Sequence, residues 1–188
     1  MPEPVAPEPG ATGSALPDAA ISSGDPAIPT DADDRLDWPA WLDSLPISEY
    51  GFPGPLRDKL LAALLSGAKT TTSSLHEGYP IWGEELPVVG AVQAVLDSRG
   101  ERVFATEVVD VKVLRMGLVS DEFAAAEGEG YQNAAQWRAS HEAFWLSDAS
   151  VEELGYTPQL SDDTLVVLET VRVIGASQTL DDGDAAAR

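Results

Sequence analysis

Leucines recur at helical spacing in one segment in the first half of the chain and are followed by a run of hydroxylated residues. Pro55 suits the first position of this helix, and Gly67 suits its left-handed C-terminal cap. The leucines on the shared face are Leu56, Leu60, Leu61, Leu64 and Leu65. Beyond Gly67 the run from Thr70 to Ser74 favours a strand. The pattern therefore predicts a helix, a sharp corner that holds Lys69, and then a strand.

Periodic and alternating segments predict further elements on both sides of this corner. They are a helix over residues 34–45 with Asp34 or Asp37 as its N-cap, a loop over 76–90, strands over 91–96 and 102–114 joined by a turn, helices capped by Ser120 and Asn133, and a strand over 163–175. In the helix after Asn133, His141 shares one face with aromatic residues and is expected to be a core histidine. Few, mostly antiparallel strands among helices predict an α+β fold with a small mixed sheet or partly closed barrel and helices on one side.

Composition bounds the domain organisation and the choice of partners. Residues 1–34 hold seven acidic residues and seven prolines but no Lys, Arg or aromatic residue, which predicts a disordered acidic tail. Residues 35–180 are expected to form one domain, followed by an acidic C-terminal tail over 181–188. The net charge of the 188-residue chain is -21, which disfavours RNA as a partner without excluding it.

The same composition limits location and cofactors. The chain has no cysteine and no apolar run long enough to span a membrane, so we expect a cytoplasmic protein without disulfides or thiolate metal sites. No phosphate-binding glycine loop and no metal-binding histidine spacing is present, so neither a metal nor another cofactor is predicted.

Several separate motifs resemble those of the ASCH domain family. These are GAKTTTSSL, LPVVG before a hairpin, and DEFAAAEGEG followed by WRASHEAFW, which together span roughly residues 52–176. The resemblance is greatest to the bacterial branch with an EGEG stretch and implies a PUA-like β-barrel flanked by helices. Members of the family include predicted RNA-binding domains, proteins that resemble ribonucleases, and small amidohydrolases that remove an acyl group from N4 of cytidine with a Lys, Thr and Glu triad.

The resemblance implies a catalytic triad of Lys69, Thr72 and Glu127. If the family glutamate is matched with a small shift along this sequence, Glu129 takes the place of Glu127. The residues implied for substrate binding are Thr70, Ser74, Tyr79, Trp82 and Glu129. One position departs from the family pattern, because small amidohydrolases often have an arginine where this chain has Ser74. Another group must therefore replace that arginine, or the substrate differs.

Each of these residues also has an ordinary structural interpretation. Lys69 suits the C-terminal end of a helix, Thr72 is a strand former, Glu127 suits a solvated helix end, and Trp82 suits a core plug or a stacking surface. On a regular strand Lys69 and Thr72 would point to opposite faces, so their convergence requires an irregular corner after Gly67. As a triad, Thr72 would attack a carbonyl carbon, Lys69 would act as base, and Glu127 would orient the lysine or protonate the leaving amine.

Three functions follow as hypotheses. The first is an amidohydrolase acting on N4-acylated cytidine or a related nucleoside amide, with a nucleoside as substrate. The second is an RNA-binding module, with or without nuclease activity. The third is a regulatory domain that binds a small nucleoside without turnover. The complete triad favours the first, and the sequence leaves the oligomeric state open.

Overall fold

The computed structural model of the protein describes residues 38–176 and shows six α-helices around one five-stranded sheet over that range. The helices are α1 (Trp38–Ser44), α2 (Pro55–Leu65), α3 (Gly78–Trp82), α4 (Asp121–Ala126), α5 (Ala134–Trp145) and α6 (Asp148–Leu154). The strands are β1 (Ile47–Ser48), β2 (Thr71–Leu75), β3 (Val92–Leu96), β4 (Arg102–Arg115) and β5 (Leu165–Ala176). None of the helices between residues 38 and 176 has the length and apolar character needed to cross a membrane.

The sheet has the strand order β1-β3-β4-β5-β2. All neighbouring strands are antiparallel except β1 and β3, which are parallel, so the sheet is mixed. The predicted α+β class with a mixed sheet and flanking helices is confirmed. Because β1 and β2 lie at opposite edges and do not pair within the described range, the sheet is open and does not close into a barrel.

The helices cover both faces of the sheet, which corrects the expectation that they lie on one side. Ala94 of β3 packs in the cluster that contains α1, whereas the adjacent Val95 packs against α2. Successive side chains of a strand point to opposite faces, so α1 and α2 lie on opposite sides of β3. A third cluster centred on Trp137 packs α4, α5 and α6 against β2 and β5.

Most predicted elements are present, with the caps that the sequence indicates. Ser120 and Asn133 each accept a backbone N–H in the first turn of the helix that follows. The predicted loop over residues 76–90 contains the short helix α3, and neither α6 nor β1 was predicted. These three elements are too short to show a hydrophobic period. The predicted tails, and the N-cap at Asp34 or Asp37, lie outside the described residues.

The corner between α2 and β2 is built as the sequence indicates. Gly67 adopts a left-handed conformation with φ of +73°, which a glycine accommodates without strain. The backbone N–H of Lys69 then donates to the carbonyl of Ala63, and that of Thr70 donates to the carbonyl of Ala126 at the end of α4. The corner is therefore fixed to two helices, and it brings Lys69 next to the residues that follow α4.

Candidate active site

Lys69 and Glu127 form an ion pair that is almost completely buried. Lys69 is 3% exposed and Glu127 is 1% exposed. The Lys69 ammonium lies 3.4 Å from Oε2 of Glu127, 3.4 Å from its backbone carbonyl oxygen, and 3.0 Å from Oε1 of Glu129. An ammonium group has three N–H donors, and each of these oxygens is an acceptor. The lysine is thus held in one position by both glutamates of the EGEG segment.

The carboxylate of Glu127 organises the side chains around the lysine. Its Oε1 accepts hydrogen bonds from the Ser73 hydroxyl and from the indole N–H of Trp137, both at 2.7 Å. Burial alone would raise the pKa of Glu127, but the hydrogen bond with His141 and the charge of Lys69 outweigh it and lower the pKa to about 2. Glu127 is therefore ionised at neutral pH, so it can orient Lys69 but cannot protonate a leaving amine.

His141 belongs to this network rather than to the core alone. Its ring stacks on Trp137 with the centroids 4.5 Å apart. Its Nδ1 lies 2.9 Å from the backbone carbonyl of Trp137, which can only accept, so we assign a proton to Nδ1. Its Nε2 faces the Ser73 hydroxyl at 3.1 Å and Oε2 of Glu127 at 3.4 Å. His141 therefore joins Ser73 and Glu127 in one polar cluster.

Thr72 borders the same cavity but points away from this network. Neighbouring residues of a strand point to opposite faces, and the side chain of Ser73 points to Glu127. Thr72 lies opposite Glu169 in the pairing of β2 with β5. Among the described residues, its hydroxyl makes no hydrogen bond to Lys69 or Glu127. The structure thus brings Lys69 and Glu127 into direct contact and leaves Thr72 open to the cavity.

The predicted substrate-binding residues occupy different positions around the site. Ser74 shares a 2.9 Å hydrogen bond with Tyr79, and both border the cavity. Trp82 also borders the cavity and is 36% exposed, so it lies at the surface and does not plug the core. Thr70 is exposed and contacts the end of α4, and it is not among the residues that line the cavity.

The cavity has a volume of about 770 Å³ and an acidic lining. It extends from β1 and α2 past β2 to α3, α5 and α6. Its two cations are already paired, Arg57 with Glu49 at 2.7 Å and Lys69 with the EGEG glutamates. The acidic residues that line it are Glu49, Glu84, Glu85, Glu127, Glu129, Glu153 and Glu169. Over residues 38–176, no group of three or more His, Asp or Glu side chains is placed to hold a metal ion.

Sequence reasoning did not assign a role in the site to Ser73, His141 or Glu169. Ser73 stood in the hydroxyl run, but the sequence could not show which of its members face Glu127. The apolar neighbours of His141 indicated a core position, and the ring does pack on Trp137 and Trp145. Only the strand register and the packing of α5 reveal that these residues meet at one cavity.

The chain matches the family model of the ASCH domain over residues 49–175. A solved ASCH domain from Lactobacillus crispatus JV V101 is 28% identical, with a TM-score of 0.58, covering 76% of this chain and 94% of that one. Protein EF3133 from Enterococcus faecalis V583 is 23% identical, with a TM-score of 0.64, covering 82% of this chain and 95% of that one. A search of curated proteins finds no match. The family match covers most of the described residues, and the chain therefore belongs to the ASCH domain family, whose fold is PUA-like.

Proposed function

We propose that this protein is an amidohydrolase that removes the acyl group from N4 of an acylated cytidine or from a related nucleoside amide. The observation that carries the proposal is the buried pair of Lys69 and Glu127, which lines the same cavity as Thr72. A buried cation fixed in the wall of a cavity is suited to stabilise the oxyanion that forms when an amide carbonyl is attacked there.

The size and charge of the cavity support a small neutral substrate. Its volume of about 770 Å³ is within the range of roughly 300–1,000 Å³ that is usual for small-molecule sites. Seven glutamates line it, while Arg57 and Lys69 are engaged in ion pairs. An uncharged nucleoside amide meets no electrostatic opposition there, and Tyr79 and Trp82 offer aromatic surface for its base.

In this proposal Thr72 attacks the acyl carbon and Glu127 holds Lys69 in place. Lys69 could act as the base only after leaving its ion pairs, because Glu127 and Glu129 both hold its ammonium group. We therefore assign Lys69 the stabilisation of the developing oxyanion. Its positive charge is fixed before the reaction begins, so no reorganisation is needed at that step.

The test is the conversion of N4-acetylcytidine to cytidine, followed by absorbance with the full-length protein. We expect turnover by the wild type and a loss of at least ~100-fold in kcat for Thr72→Val, which removes the hydroxyl but keeps the shape. Thr70→Val is the matched control, because Thr70 is exposed and lies outside the cavity lining. It should retain wild-type turnover.

Two results would contradict the proposal. Thr72→Val with undiminished turnover would remove Thr72 as the nucleophile. A wild type that binds N4-acetylcytidine without converting it would make the cavity a nucleoside-binding site rather than a catalytic one.

A further inference from the structure

Glu169 of β5 lies next to the proposed nucleophile, on the neighbouring strand. Thr72 and Glu169 are directly opposite each other in the antiparallel pairing of β2 with β5. Side chains of opposite residues lie on the same face, with their Cβ atoms about 4.5–5.5 Å apart. Both residues line the cavity. A glutamate side chain is long enough to bring its carboxylate to the hydroxyl of a threonine at that separation.

No other group in the described structure uses this carboxylate. Between residues 38 and 176, Glu169 makes no side-chain hydrogen bond and no ion pair, although burial raises its pKa to about 7. The titratable groups that sense its charge are Tyr50 and Tyr79, and burial is the main reason that the pKa of each is raised to about 12. Both are uncharged at neutral pH. A half-buried carboxyl group therefore lies in the cavity without a hydrogen-bond or ion-pair partner among residues 38–176.

We infer that Glu169 is the general base that takes the proton from Thr72. The inference rests on the proposed hydrolysis of a nucleoside amide, and it names the residue that activates the nucleophile. It follows from the cross-strand position of Glu169, its access to the cavity and its lack of another partner within the described part of the chain.

The other candidate bases are engaged elsewhere. Glu127 already accepts hydrogen bonds from Ser73 and Trp137 and contacts Lys69, and its low pKa makes it a weak base. The Nε2 atom of His141 contacts Ser73 and Glu127, on the other side of β2 from Thr72. A base is most effective when its pKa lies near the working pH, which is the case for Glu169.

The reaction is balanced with water as the only co-reactant. The Oγ1–H bond of Thr72 breaks, its proton goes to the carboxylate of Glu169, and Oγ1 forms a bond to the acyl carbon. The tetrahedral adduct then breaks its C–N bond, and the departing nitrogen takes the proton from Glu169 and leaves as the amine of cytidine. Water attacks the Thr72 ester and gives a proton to Glu169, which returns it to Oγ1 as the carboxylic acid leaves.

The deciding experiment measures kcat and KM for N4-acetylcytidine between pH 5 and 9 in the wild type, Glu169→Gln and the control variant Glu152→Gln. The wild-type kcat/KM should rise with pH through about 7, as Glu169 becomes ionised, and then level off. Glu169→Gln should lose ~10²–10⁴-fold in kcat with little change in KM, and the rise near pH 7 should disappear. Glu152→Gln removes the charge of an exposed glutamate that lies outside the cavity lining, and it should keep both the rate and the pH profile.

The outcomes separate this inference from the proposed function. A wild type that turns over N4-acetylcytidine together with a Glu169→Gln variant of equal kcat, or with an unchanged rise near pH 7, would overturn the inference alone. A raised KM with unchanged kcat would also overturn it, because Glu169 would then bind substrate. A wild type without turnover would reject the proposed function and the inference with it. Thermal melting of Glu169→Gln checks that the variant is folded. Glu169→Asp keeps a carboxylate but moves it away from Thr72, so we expect its kcat to lie between those of Glu169→Gln and the wild type.

Discussion

At the scale of single residues, Glu127 is the carboxylate on which the site depends. It is 1% exposed, and it binds Lys69 from the corner, Ser73 from β2 and Trp137 from α5. A buried charge that loses its partner carries the full cost of its desolvation, so the two members of this pair depend on each other. Glu129 contacts the same ammonium, but its side chain is 14% exposed and retains access to water.

The first prediction concerns this difference in burial. Glu127→Gln keeps the shape and one acceptor oxygen but removes the charge opposite Lys69, and we expect it to lower the free energy of unfolding by on the order of 3 kcal/mol. The matched variant Glu129→Gln should cost clearly less, about 1 kcal/mol or below, because the partner is more exposed. Urea unfolding at pH 7 measures both. Equal losses in the two variants would contradict the central position of Glu127.

The pH dependence of the same pair has a definite sign. The pKa of Glu127 is lowered from 4.5 to about 2 in the folded protein, so its stabilisation is complete above the unfolded pKa and is lost as pH falls through the folded value. Between pH 5 and pH 2 the wild type should therefore lose stability more steeply than Glu127→Gln, by about 3 kcal/mol in total. Urea unfolding at several pH values between these limits gives the comparison.

The family resemblance named Lys69, Thr72 and Glu127, but the local sequence pattern does not show which of the neighbouring hydroxyls faces which carboxylate. Thr72 and Ser73 have similar chemistry, and only the pairing of β2 with β5 determines that Ser73 points to Glu127 while Thr72 points to Glu169. That register is a tertiary property. The same limit explains why no local pattern singled out Glu169 within a mostly apolar strand.

At the scale of elements, the site depends on the close approach of the segment after α4 to the corner before β2. Gly128 has φ of +68°, and a Cβ added there would lie 2.4 Å from the backbone oxygen of Ala68 and 2.7 Å from the backbone nitrogen of Lys69. These are backbone atoms, which cannot move aside as the end of a flexible side chain can. The first glycine of the EGEG segment therefore lets two backbones meet, so that Glu127 and Glu129 both reach Lys69.

The prediction at this scale compares the two glycines of the EGEG segment. Gly130 also has a positive φ, of +99°, but an added Cβ would have no heavy atom within 4 Å. Gly130→Ala should therefore cost only the strain of a left-handed alanine, about 1–2 kcal/mol, and should leave kcat for N4-acetylcytidine nearly unchanged. Gly128→Ala adds the backbone clash, so it should lower both the melting temperature and kcat more than Gly130→Ala does. Equal effects of the two substitutions on kcat would show that the close approach is not needed for the site.

Element prediction succeeded where the sequence carries a period or a cap. The helix after Pro55, the hairpin of β3 and β4, and the capped helices after Ser120 and Asn133 follow local rules. The short elements α3 and α6 have too few residues for a period, and β1 has only two residues, so its parallel pairing with β3 has no local signal. Such pieces form because tertiary contacts hold them, and these contacts also shape the cavity.

At the scale of the whole molecule, the described part of the chain combines an open sheet with an acidic cavity. Helices on both faces were not anticipated, because a hydrophobic run does not show which side of a sheet its helix will cover. The acidic balance of the chain, in contrast, was visible from composition, and it extends to the seven glutamates that line the cavity. Burial and the charges of Glu49 and Glu84 raise the pKa of Glu153, so these carboxylates lie close enough to interact.

This electrostatic character predicts discrimination between a nucleoside and its phosphorylated forms. A charge 10 Å away in water interacts by roughly 0.4 kcal/mol, so several unpaired glutamates oppose a 5′-phosphate by more than about 1.4 kcal/mol. We therefore expect kcat/KM for N4-acetylcytidine 5′-monophosphate to be at least tenfold below that of N4-acetylcytidine at low salt, with the gap narrowing as salt screens the charges. The double variant Glu84→Gln with Glu85→Gln should narrow the gap at low salt, because both residues are exposed and line the cavity. A nucleotide used as well as the nucleoside, or tight RNA binding that weakens steeply with salt, would instead show that phosphate is recognised and would favour an RNA-binding role.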